Sequence, residues 1–289
     1  MSWIVDSSLT FFQKFCVNVI KCGPIPNHIA FIMDGNRRYA SKTKVEKAEG
    51  HVKGFDKLAE TLQWCLELGI KEVTVYAFSI ENFKRSDDEV ATLMKLATEK
   101  FQKLLDEKDS LMAEGVCIRI IGNLSLLSPE LRKLIAEATL MTKHNKKAFL
   151  NVAFAYTSRD EIVSTAETIV EGVKKGFLDV DNIDEDLFSD CLYTSASPEP
   201  DMIVRTSGEL RFSDFLLWQI ADSHICFAQV LWPEFCIWHL LACIFKYQRS
   251  YNDLQKCKTL KEENGNDRVQ RFLDELQQKQ LTQLKSFIA

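Results

Sequence analysis

A short apolar run at residues 29–33 leads directly into Asp34, Gly35, Asn36, Arg37 and Arg38. Asp34 at such a strand end could hold Mg²⁺, because this ion takes hard oxygen ligands and usually shares them with substrate phosphates. Gly35 permits close backbone approach, and a helix that begins there would present free N–H groups to an anion. The guanidiniums of Arg37 and Arg38 add paired donors that suit phosphate oxygens.

Two further apolar runs end in arginines. Arg85 follows the second run, and Arg205 ends the fifth, with Arg211 and Ser213 shortly behind it. Ligands of open parallel sheets bind outside the carboxyl ends of the strands, so these side chains should meet at one edge. Clustered cations repel one another unless an anion offsets their charge. One bound diphosphate, or two, would explain the number of arginines, and the sequence contains no GxxxxGK[ST] or GxGxxG nucleotide loop.

The elements that must position these residues are short apolar strands alternating with long helices. Near-continuous apolar strands of this kind predict an α/β fold, with a mostly parallel six-stranded sheet flanked by helices on both faces. We expect one domain over residues 24–250. The predicted strands cover residues 28–34, 72–79, 117–122, 149–156, 201–206 and 224–232, and the predicted helices cover 50–68, 87–114, 129–143 and 159–175.

Residues 1–23 predict an amphipathic helix ahead of this domain. Its apolar residues recur at spacings of three and four, so they share one face. The helix could lie in a membrane interface or pack on its own domain. The face comprises Trp3, Leu9, Phe12, Cys16 and Val19, and Phe11 and Phe15 widen it.

Residues 251–289 predict a charged helical tail, which the polar run at 262–267 divides into two helical pieces. The second piece carries an apolar stripe along one side, which indicates a helix that packs on the body, on a partner, or simply within its own chain. The stripe comprises Val269, Phe272, Leu276, Leu284 and Phe287.

The composition excludes some classes of function. The net charge is −5, so no global positive field would attract nucleic acid. Nine cysteines occur without a CxxC pair, which favours reduced thiols in a cytosol-facing protein. No apolar stretch reaches the roughly 20 residues that a membrane span needs, and the N-terminus lacks the features of a secretory signal.

Long motifs resemble those of the cis-prenyltransferase (undecaprenyl diphosphate synthase) family. The resemblance covers about residues 24–250 in the family's order and spacing. It is carried by HIAFIMDGNRRYA (28–40), YAFSIENFKR (76–85), DMIVRTSGELRFSDFLLWQ (201–219) and VLWPE (230–234).

The resemblance implies an Mg²⁺-dependent enzyme that extends farnesyl diphosphate with successive isopentenyl diphosphate units to a long-chain polyprenyl diphosphate for dolichol synthesis. Asp34 would bind the metal, and Asn36 would assist it in catalysis. The growing chain would enter an apolar tunnel near Leu93, Leu96, Phe101 and Leu105, although ordinary core packing also explains these four residues. The allylic diphosphate would bind Gly35, Arg37, Arg38, His51 and Arg85; isopentenyl diphosphate would bind Arg205, Arg211 and Ser213; Phe78, Ser79 and Asn82 would line the pocket.

The chain departs from the family pattern at two places. His224 stands where homodimeric members carry a metal-binding glutamate, and it is either a metal ligand or a structural residue. The Arg-x-Gly segment that completes the neighbouring subunit's site does not follow residues 246–251. The resemblance to eukaryotic members of the family implies that a non-catalytic subunit resembling the Nogo-B receptor supplies that segment and holds the enzyme peripherally on the cytosolic face of the endoplasmic reticulum membrane.

Other functions explain the residues less well. A non-catalytic scaffold of the same family would not need clustered arginines at the strand ends. A phosphatase that used Asp34 would want a nucleophile or a second acidic metal ligand beside it, and the sequence shows neither. A purely structural membrane-binding module would leave the polar motifs unexplained.

Overall fold

The computed structural model of the chain describes residues 9–257 and 267–288. Within this part of the chain, six parallel strands form one sheet in the order β3-β4-β2-β1-β5-β6. The predicted parallel sheet is therefore confirmed. The strands are β1 (His28–Ile32), β2 (Glu72–Ser79), β3 (Val116–Ile121), β4 (Ala148–Tyr156), β5 (Met202–Arg205) and β6 (His224–Phe227).

Helices connect the strands and cover both faces of the sheet. The predicted helices are present, with ends that differ by up to three residues, and the predicted stretch 87–114 divides at Glu107 into two helices. Good helix formers flank this break, so periodicity alone does not reveal it. The helices are α1 (Phe11–Ile20), α2 (Asn36–Thr43), α3 (Lys47–Leu68), α4 (Asp87–Asp106), α5 (Lys108–Glu114), α6 (Pro129–Thr142), α7 (Ser158–Lys174), α8 (Glu185–Asp190), α9 (Ile237–Cys257) and α10 (Asp267–Ser286).

Successive strand residues point to opposite faces and so build two apolar layers. In β1, Ile29 and Phe31 join the larger core, which holds buried residues of α3, α4, α6 and α9. Ala30 and Ile32 join a smaller core with Tyr156 and Phe215 on the other face. Both faces of β1 are thus fully buried, which explains why the strand reads as a continuous apolar run.

Helix α1 begins at Phe11, where Thr10 and Gln13 form a capping box. Its buried residue is Val17, whereas Phe11 is 90% exposed and Phe15 is 57% exposed. The helix therefore packs on its own domain and also leaves apolar side chains facing solvent. Trp3, which the sequence places on the same face, lies outside the described residues.

Helix α10 packs on the body of its own chain. Phe272 is buried with Leu178, and it lies against Gly172 of α7, where an added Cβ would come within 3.0 Å of the ring. Helix α9 runs through position 250 to Cys257, so the domain boundary predicted there falls inside a helix. Across residues 9–257 and 267–288, no helix has the length and apolar character that crossing a membrane requires.

Candidate active site

The carboxyl end of β1 positions Asp34 at the centre of a cleft. Gly35 caps α2 with φ of +111°, and a Cβ there would lie 3.0–3.1 Å from Leu231, so glycine is required by both conformation and space. The carbonyl oxygen of Asp34 accepts hydrogen bonds from Thr206 Oγ1 at 2.7 Å and from the Trp232 backbone N–H at 3.0 Å. The side chain is therefore held on a fixed backbone with its carboxylate facing the cleft.

Arg205 is the most deeply buried cation of the site, with a side chain only 3% exposed. It ends β5 opposite Ile32 of β1, which brings it beside Asp34. Its guanidinium donates to Asp34 Oδ2 at 2.8 Å, to Ser213 Oγ at 2.7 Å and to the carbonyl oxygen of Arg211. Arg205 thus joins three sequence-predicted residues into one network and orients the loop that carries Ser213.

A second group of charges surrounds Glu209, which sequence reasoning missed. Arg38 Nη2 lies 3.1 Å from Glu209 Oε1 and 3.7 Å from Asp34 Oδ1, and its Nη1 donates to the carbonyl oxygen of Ser207 at 3.2 Å. Arg211 also pairs with Glu209, on the exposed side of the cleft. The carboxylate of Glu209 consequently holds the guanidiniums of Arg38 and Arg211 near each other.

A third group gathers around Glu89 at the start of α4. Its carboxylate lies 2.8 Å from Arg85, 3.8 Å from Arg37 and 3.5 Å from Lys47. Burial alone would raise the pKa of Glu89, but the charges of Arg85 and Arg37 outweigh it and lower the pKa. Burial and the charge of Arg37 lower the pKa of Arg85. Three cations thus share one carboxylate, an arrangement that a further anion would stabilise.

His51 and Asn36 bring neutral polar groups to the inner end of the cleft. Burial, followed by the charge of Arg85, lowers the pKa of His51 to about 4, so its imidazole is neutral at pH 7. Among the described residues, neither His51 Nε2 nor Asn36 Oδ1 has a hydrogen-bond partner, although both atoms are buried. Buried polar atoms without partners are costly, so His51 Nε2 is suited to a ligand, whereas Asn36 Oδ1 packs against Gly54 of α3.

Asn36 is positioned by the close contact of α2 with α3. A Cβ at Gly50 would come within 2.6 Å of the Asn36 carbonyl oxygen, and one at Gly54 would overlap the Asn36 side chain. Two glycines one helical turn apart therefore let the helices approach until Asn36 faces the cleft. On the other side of the cleft, Ser79 and Asn82 position Arg85. Their side chains cap the turn Ile80–Lys84, which precedes it.

The cleft has a volume of about 970 Å³. Among the described residues that line it, seven side chains are cationic and four are anionic, in a chain whose net charge is −5. The structure brings all thirteen sequence-predicted site residues to this one cleft: Asp34, Gly35, Asn36, Arg37, Arg38, His51, Phe78, Ser79, Asn82, Arg85, Arg205, Arg211 and Ser213. Their individual roles remain a prediction.

Arg159 is a cleft cation that sequence reasoning missed. It follows β4 at the start of α7, and its Nε lies 3.1 Å from Asp214 Oδ2. The backbone N–H of Ser158 donates to the carbonyl oxygen of Asp214 at 2.7 Å, which ties α7 to the loop that carries Ser213. The position of Arg159 directly after a strand was the available signal, because the other cleft arginines also follow strand ends.

An apolar cavity of about 150 Å³ adjoins the cleft beside Asn36, His51 and Phe78. Leu93, Leu96 and Phe101, which the sequence placed near a tunnel, line this cavity, and Leu105 does not. Leu105 packs half-buried against the main core. An anion-binding cleft that continues into an apolar cavity suits a ligand with a charged head and a hydrocarbon tail.

The donor set of the cleft limits how a metal ion could bind. No cluster of three or more His, Cys, Asp or Glu side chains suited to a metal ion occurs within residues 9–257 and 267–288. Asp34 offers one carboxylate, 32% exposed toward the cleft. Because Mg²⁺ is usually bound through one or two carboxylates plus substrate phosphates, this donor set fits an ion that the ligand helps to hold.

His224 lies away from this site. It begins β6 in register with Met202, at the amino end of β5, whereas Asp34 follows the carboxyl end of β1. Its ring packs against Tyr247 at 6.2 Å, and its backbone N–H donates to the carbonyl oxygen of Asp201 at 2.9 Å. His224 therefore does not contribute to the cleft of its own chain, and its buried Nε2 has no hydrogen-bond partner among the described residues; a role as a metal ligand across a subunit interface stays a prediction.

A family model described as "Putative undecaprenyl diphosphate synthase" matches residues 32–254. This match spans well over half of the chain, so the chain belongs to the undecaprenyl diphosphate synthase (cis-prenyltransferase) family.

Relatives and a solved structure agree with this membership. The chain is 56% identical over 260 residues to the dehydrodolichyl diphosphate synthase complex subunit of Homo sapiens, covering 90% of this chain and 78% of that protein. It is 44% identical to the tritrans,polycis-undecaprenyl-diphosphate synthase (geranylgeranyl-diphosphate specific) of Methanopyrus kandleri, covering 82% and 88%. Lavandulyl diphosphate synthase from Lavandula x intermedia, solved with dimethylallyl diphosphate, superposes with a TM-score of 0.73 at 32% identity, covering 82% of this chain and 98% of that one.

Proposed function

We propose that this chain is the catalytic subunit of an Mg²⁺-dependent cis-prenyltransferase that extends farnesyl diphosphate with successive isopentenyl diphosphate units. The product is a long-chain polyprenyl (dehydrodolichyl) diphosphate, which serves dolichol synthesis and protein glycosylation. The observation that carries the proposal is the excess of cations from several strand ends around one cleft that continues into an apolar cavity. A non-catalytic scaffold would keep the fold but have no use for this charge.

The cations divide into two groups that suit two diphosphates. Arg37, Arg38 and Arg85, with the N-terminus of α2, bind the allylic diphosphate next to the apolar cavity. Arg205, Arg211 and Ser213 bind the diphosphate of isopentenyl diphosphate. Binding of both anions would replace carboxylate–guanidinium pairs that the cleft makes on its own.

Asp34 lies between these two groups and would hold Mg²⁺ together with diphosphate oxygens. A bound Mg²⁺ supplies Lewis-acid stabilisation of the charge that builds on the departing diphosphate. The guanidiniums of Arg37, Arg38 and Arg85 stabilise the same charge through donors already in place. The primer C–O bond breaks and its electron pair leaves with the diphosphate. The double bond of isopentenyl diphosphate attacks the electron-poor carbon of the primer, and a base takes the proton from the carbon next to the new cation.

Asn36 and His51 orient the reacting ends of the substrates. Both line the polar cleft and the apolar cavity, so they mark the point where the diphosphate head meets the hydrocarbon tail. His51 is neutral at pH 7, and its buried Nε2 suits a hydrogen bond to a substrate oxygen. Phe78, which stacks on Phe154 at 5.3 Å, provides the apolar floor of this junction.

The reaction requires a second subunit in this proposal. The human relative is named as a complex subunit, which supports a partner for this chain. A subunit resembling the Nogo-B receptor would supply the Arg-x-Gly segment, which does not follow residues 246–251 here. The complex would act peripherally on the cytosolic face of the endoplasmic reticulum, and the exposed Phe11 and Phe15 of α1 would contact the membrane surface.

The test is incorporation of labelled isopentenyl diphosphate into butanol-extractable product, with farnesyl diphosphate and Mg²⁺. We expect long-chain product that needs the second subunit and disappears in Asp34→Ala. Robust product from this chain alone would contradict the requirement for a partner. No incorporation under any condition would contradict the catalytic function.

Membrane contact has a separate test, flotation of the complex with vesicles that contain anionic phospholipid. Phe11→Ser/Phe15→Ser should reduce co-flotation, because it removes exposed apolar surface from α1 and leaves the buried Val17 in place. Equal co-flotation of this variant and the unmodified complex would remove α1 from the proposal.

A further inference from the structure

Two cysteines outside the cleft meet between the edge strand of the sheet and the helix that covers it. Cys226 lies on β6 and Cys243 on α9, and their Sγ atoms are 2.9 Å apart. Both side chains are 4% exposed and belong to the larger apolar core. A disulfide has an S–S distance of about 2.05 Å, so the two sulfurs need to approach by only about 0.9 Å.

The register of α9 on β6 brings the two sulfurs together. His224 and Cys226 are two residues apart on β6, so their side chains point to the same face. Cys243 and Tyr247 are one turn apart on α9 and share a face as well. The ring of His224 lies 6.2 Å from the ring of Tyr247, next to the cysteine pair. Two neighbouring contacts in matching order therefore fix α9 against β6.

The pair differs from the other cysteines. Of the cysteine side chains that the structure describes, Cys226 and Cys243 alone lie within hydrogen-bonding distance of another sulfur. Cys236 contacts the ring Nδ1 of His239 at 3.0 Å instead. Burial raises the pKa of Cys65 to about 12, which keeps that thiol inert. The proximity of two thiols thus distinguishes one pair among the described cysteines.

The contact also changes the acidity of the two thiols. The hydrogen bond between the sulfurs lowers the pKa of Cys226, against the effect of burial. The same bond, followed by burial, raises the pKa of Cys243. Since the thiolate is the nucleophile that reacts with oxidants, Cys226 is the sulfur that attacks first, and Cys243 is the thiol that reacts with its product.

We propose that Cys226 and Cys243 are an oxidation site, at which a peroxide converts the two thiols to a disulfide that joins β6 to α9. The inference goes beyond the proposed function and does not depend on it. In a reducing compartment the pair stays reduced, so the disulfide forms only when peroxide is present.

Hydrogen peroxide supplies the oxidising equivalents in two steps. The thiolate of Cys226 attacks one peroxide oxygen, the O–O bond breaks, hydroxide leaves, and Cys226 becomes a sulfenic acid. The sulfur of Cys243 then attacks the sulfur of Cys226, the S–O bond breaks, and the departing hydroxide takes the proton of Cys243 and leaves as water. In total, the two thiols lose two electrons and two protons, and the peroxide is reduced to two molecules of water.

The disulfide would fix a strand that continues into the wall of the cleft. Directly after β6, the carbonyl oxygen of Ala228 accepts from the Gly208 N–H at 2.9 Å, and that of Val230 accepts from the Ser207 N–H at 2.7 Å. A covalent link also closes residues 226–243 into a loop, which restricts the unfolded chain. Neither cysteine is among the described residues that line the cleft, so oxidation should stabilise the fold and leave the cleft side chains in place.

The experiment oxidises the folded, full-length chain with hydrogen peroxide, blocks the remaining thiols with N-ethylmaleimide and maps disulfides by mass spectrometry. Cleavage after Glu234 and Lys246 separates the peptide that holds Cys226 from the peptide that holds Cys243. We expect these two peptides to be linked after oxidation and to separate after reduction with dithiothreitol. The linked species should be lighter by two hydrogen atoms than the sum of its two reduced peptides.

Oxidation should also raise the midpoint of urea unfolding by about 1 M, because the closed loop restricts the unfolded chain. Cys243→Ala should show neither the linked peptides nor this shift. If Cys243→Ala does not fold, Cys226→Ala tests the same link from β6, and the peptide map of the wild-type chain needs no variant.

Cys236→Ser is the matched control. Cys236 lies on the same peptide as Cys243 but contacts His239, so the linked peptides and the shift in urea midpoint should both persist in this variant. The exposed Cys22 reports that the oxidant acted, because dimedone traps the sulfenic acid that forms there.

Three outcomes would overturn the inference. The first is oxidation of Cys22 while Cys226 and Cys243 remain free thiols, which would show that the core excludes the oxidant. The second is a linked peptide that persists in Cys243→Ala and disappears in Cys236→Ser, which would show that Cys226 has another partner. The third is a lower urea midpoint after oxidation, which would show that the core does not accommodate the bond.

Discussion

The two ends of the sheet both bury charged groups, but they balance them differently. In the amino-terminal half, the carboxylate of Glu72 accepts hydrogen bonds from Arg119 at 3.2 Å and from Asn151 at 2.7 Å. Asp201 Oδ2 accepts from the backbone N–H groups of Asn27 and His28 at 2.7 and 3.1 Å. Each carboxylate there is matched by donors of the protein, although the buried Asn151 Oδ1 has no partner among the described residues.

At the carboxyl end, several cations share each carboxylate. Asp34 lies near both Arg205 and Arg38, and Glu89 lies near three cations. The comparison teaches that buried charge alone does not mark a ligand-binding site in this protein. The ligand-binding site is marked by an excess of positive over negative side chains at an edge of the sheet that is open to solvent.

Loss of the charge at Asp34 should have the largest effect on activity. Asp34→Asn keeps the size of the side chain but removes the carboxylate between the two groups of cations. We expect incorporation of isopentenyl diphosphate to fall by about 10²-fold to 10³-fold, the usual effect of removing one stabilising group from a transition state. Arg205 keeps its bonds to Ser213 and Arg211, so thermal unfolding should show a folded protein.

Wild-type activity in Asp34→Asn would contradict the assignment of the site to the carboxyl edge of the sheet, because activity would then not depend on the carboxylate there. The measurement is the incorporation rate of the complex at saturating substrates, beside a thermal melt of the same preparation.

Loss of the charge at Glu72 should have a large effect on stability and little effect on activity, the opposite of what is expected at Asp34. Glu72→Gln leaves Arg119 without its counter-ion in a network whose carboxylate is nearly inaccessible to solvent. We expect the free energy of unfolding to fall by about 1–3 kcal/mol. The kcat/KM of the folded protein should stay within about twofold of wild type, since the network lies far from the cleft.

Urea denaturation measures this change, and Glu171→Gln is the control. Glu171 pairs with Lys175 at 2.6 Å on the surface, where water screens such pairs and they contribute little to stability. A Glu72→Gln variant as stable as Glu171→Gln would show that the amino-terminal network is not needed for stability.

Most strands could be predicted from the sequence because burial on both faces makes them continuous apolar runs; β6, which is less buried, ends at Phe227 and not at residue 232. The convergence of Arg38, Arg85 and Arg205 then followed from the parallel order of the sheet. The sharing of Glu89 by three cations could not be predicted, since it depends on how α4 lies across α2.

His28 lies at the amino end of the sheet and His51 at the carboxyl end, and their contributions to stability should both depend on pH. Burial lowers the pKa of His28 and the pKa of His51, the latter to about 4, against about 6.5 in the unfolded chain. Each neutral histidine therefore adds stability above pH 6.5, and this stability is lost as the pH falls; for His51 the loss levels off below about pH 4. The difference in urea stability between wild type and each His→Gln variant, from pH 7.5 to 4.5, measures both contributions.

Inorganic pyrophosphate sharpens this test. An anion bound beside His51 would offset the charge of Arg85 and raise the pKa of His51, so the acid loss due to His51 should shrink. The loss due to His28 should not change, because Glu72 and Asp201 already surround it. Equal responses of the two histidines to pyrophosphate would contradict the assignment of the anion site to the carboxyl edge.

The smallest effect is expected at Arg159, which tests whether cations on the rim of the cleft belong to the site. Its side chain is 82% exposed, and its pair with Asp214 is the kind of surface contact that contributes about 0–1 kcal/mol. Arg159→Gln should raise the KM for isopentenyl diphosphate by about twofold to fivefold and leave kcat within about twofold, because a rim cation attracts the anion without touching the reacting bond. Steady-state kinetics at low ionic strength give both constants, and the increase in KM should diminish with added salt.

Arg249→Gln, which removes an exposed arginine of α9 outside the cleft lining, is the matched control and should change neither constant. Equal kinetics for both variants would confine the anion site to the cations held by Asp34, Glu89 and Glu209, whereas a fall in kcat for Arg159→Gln would place Arg159 among the groups that stabilise the departing diphosphate.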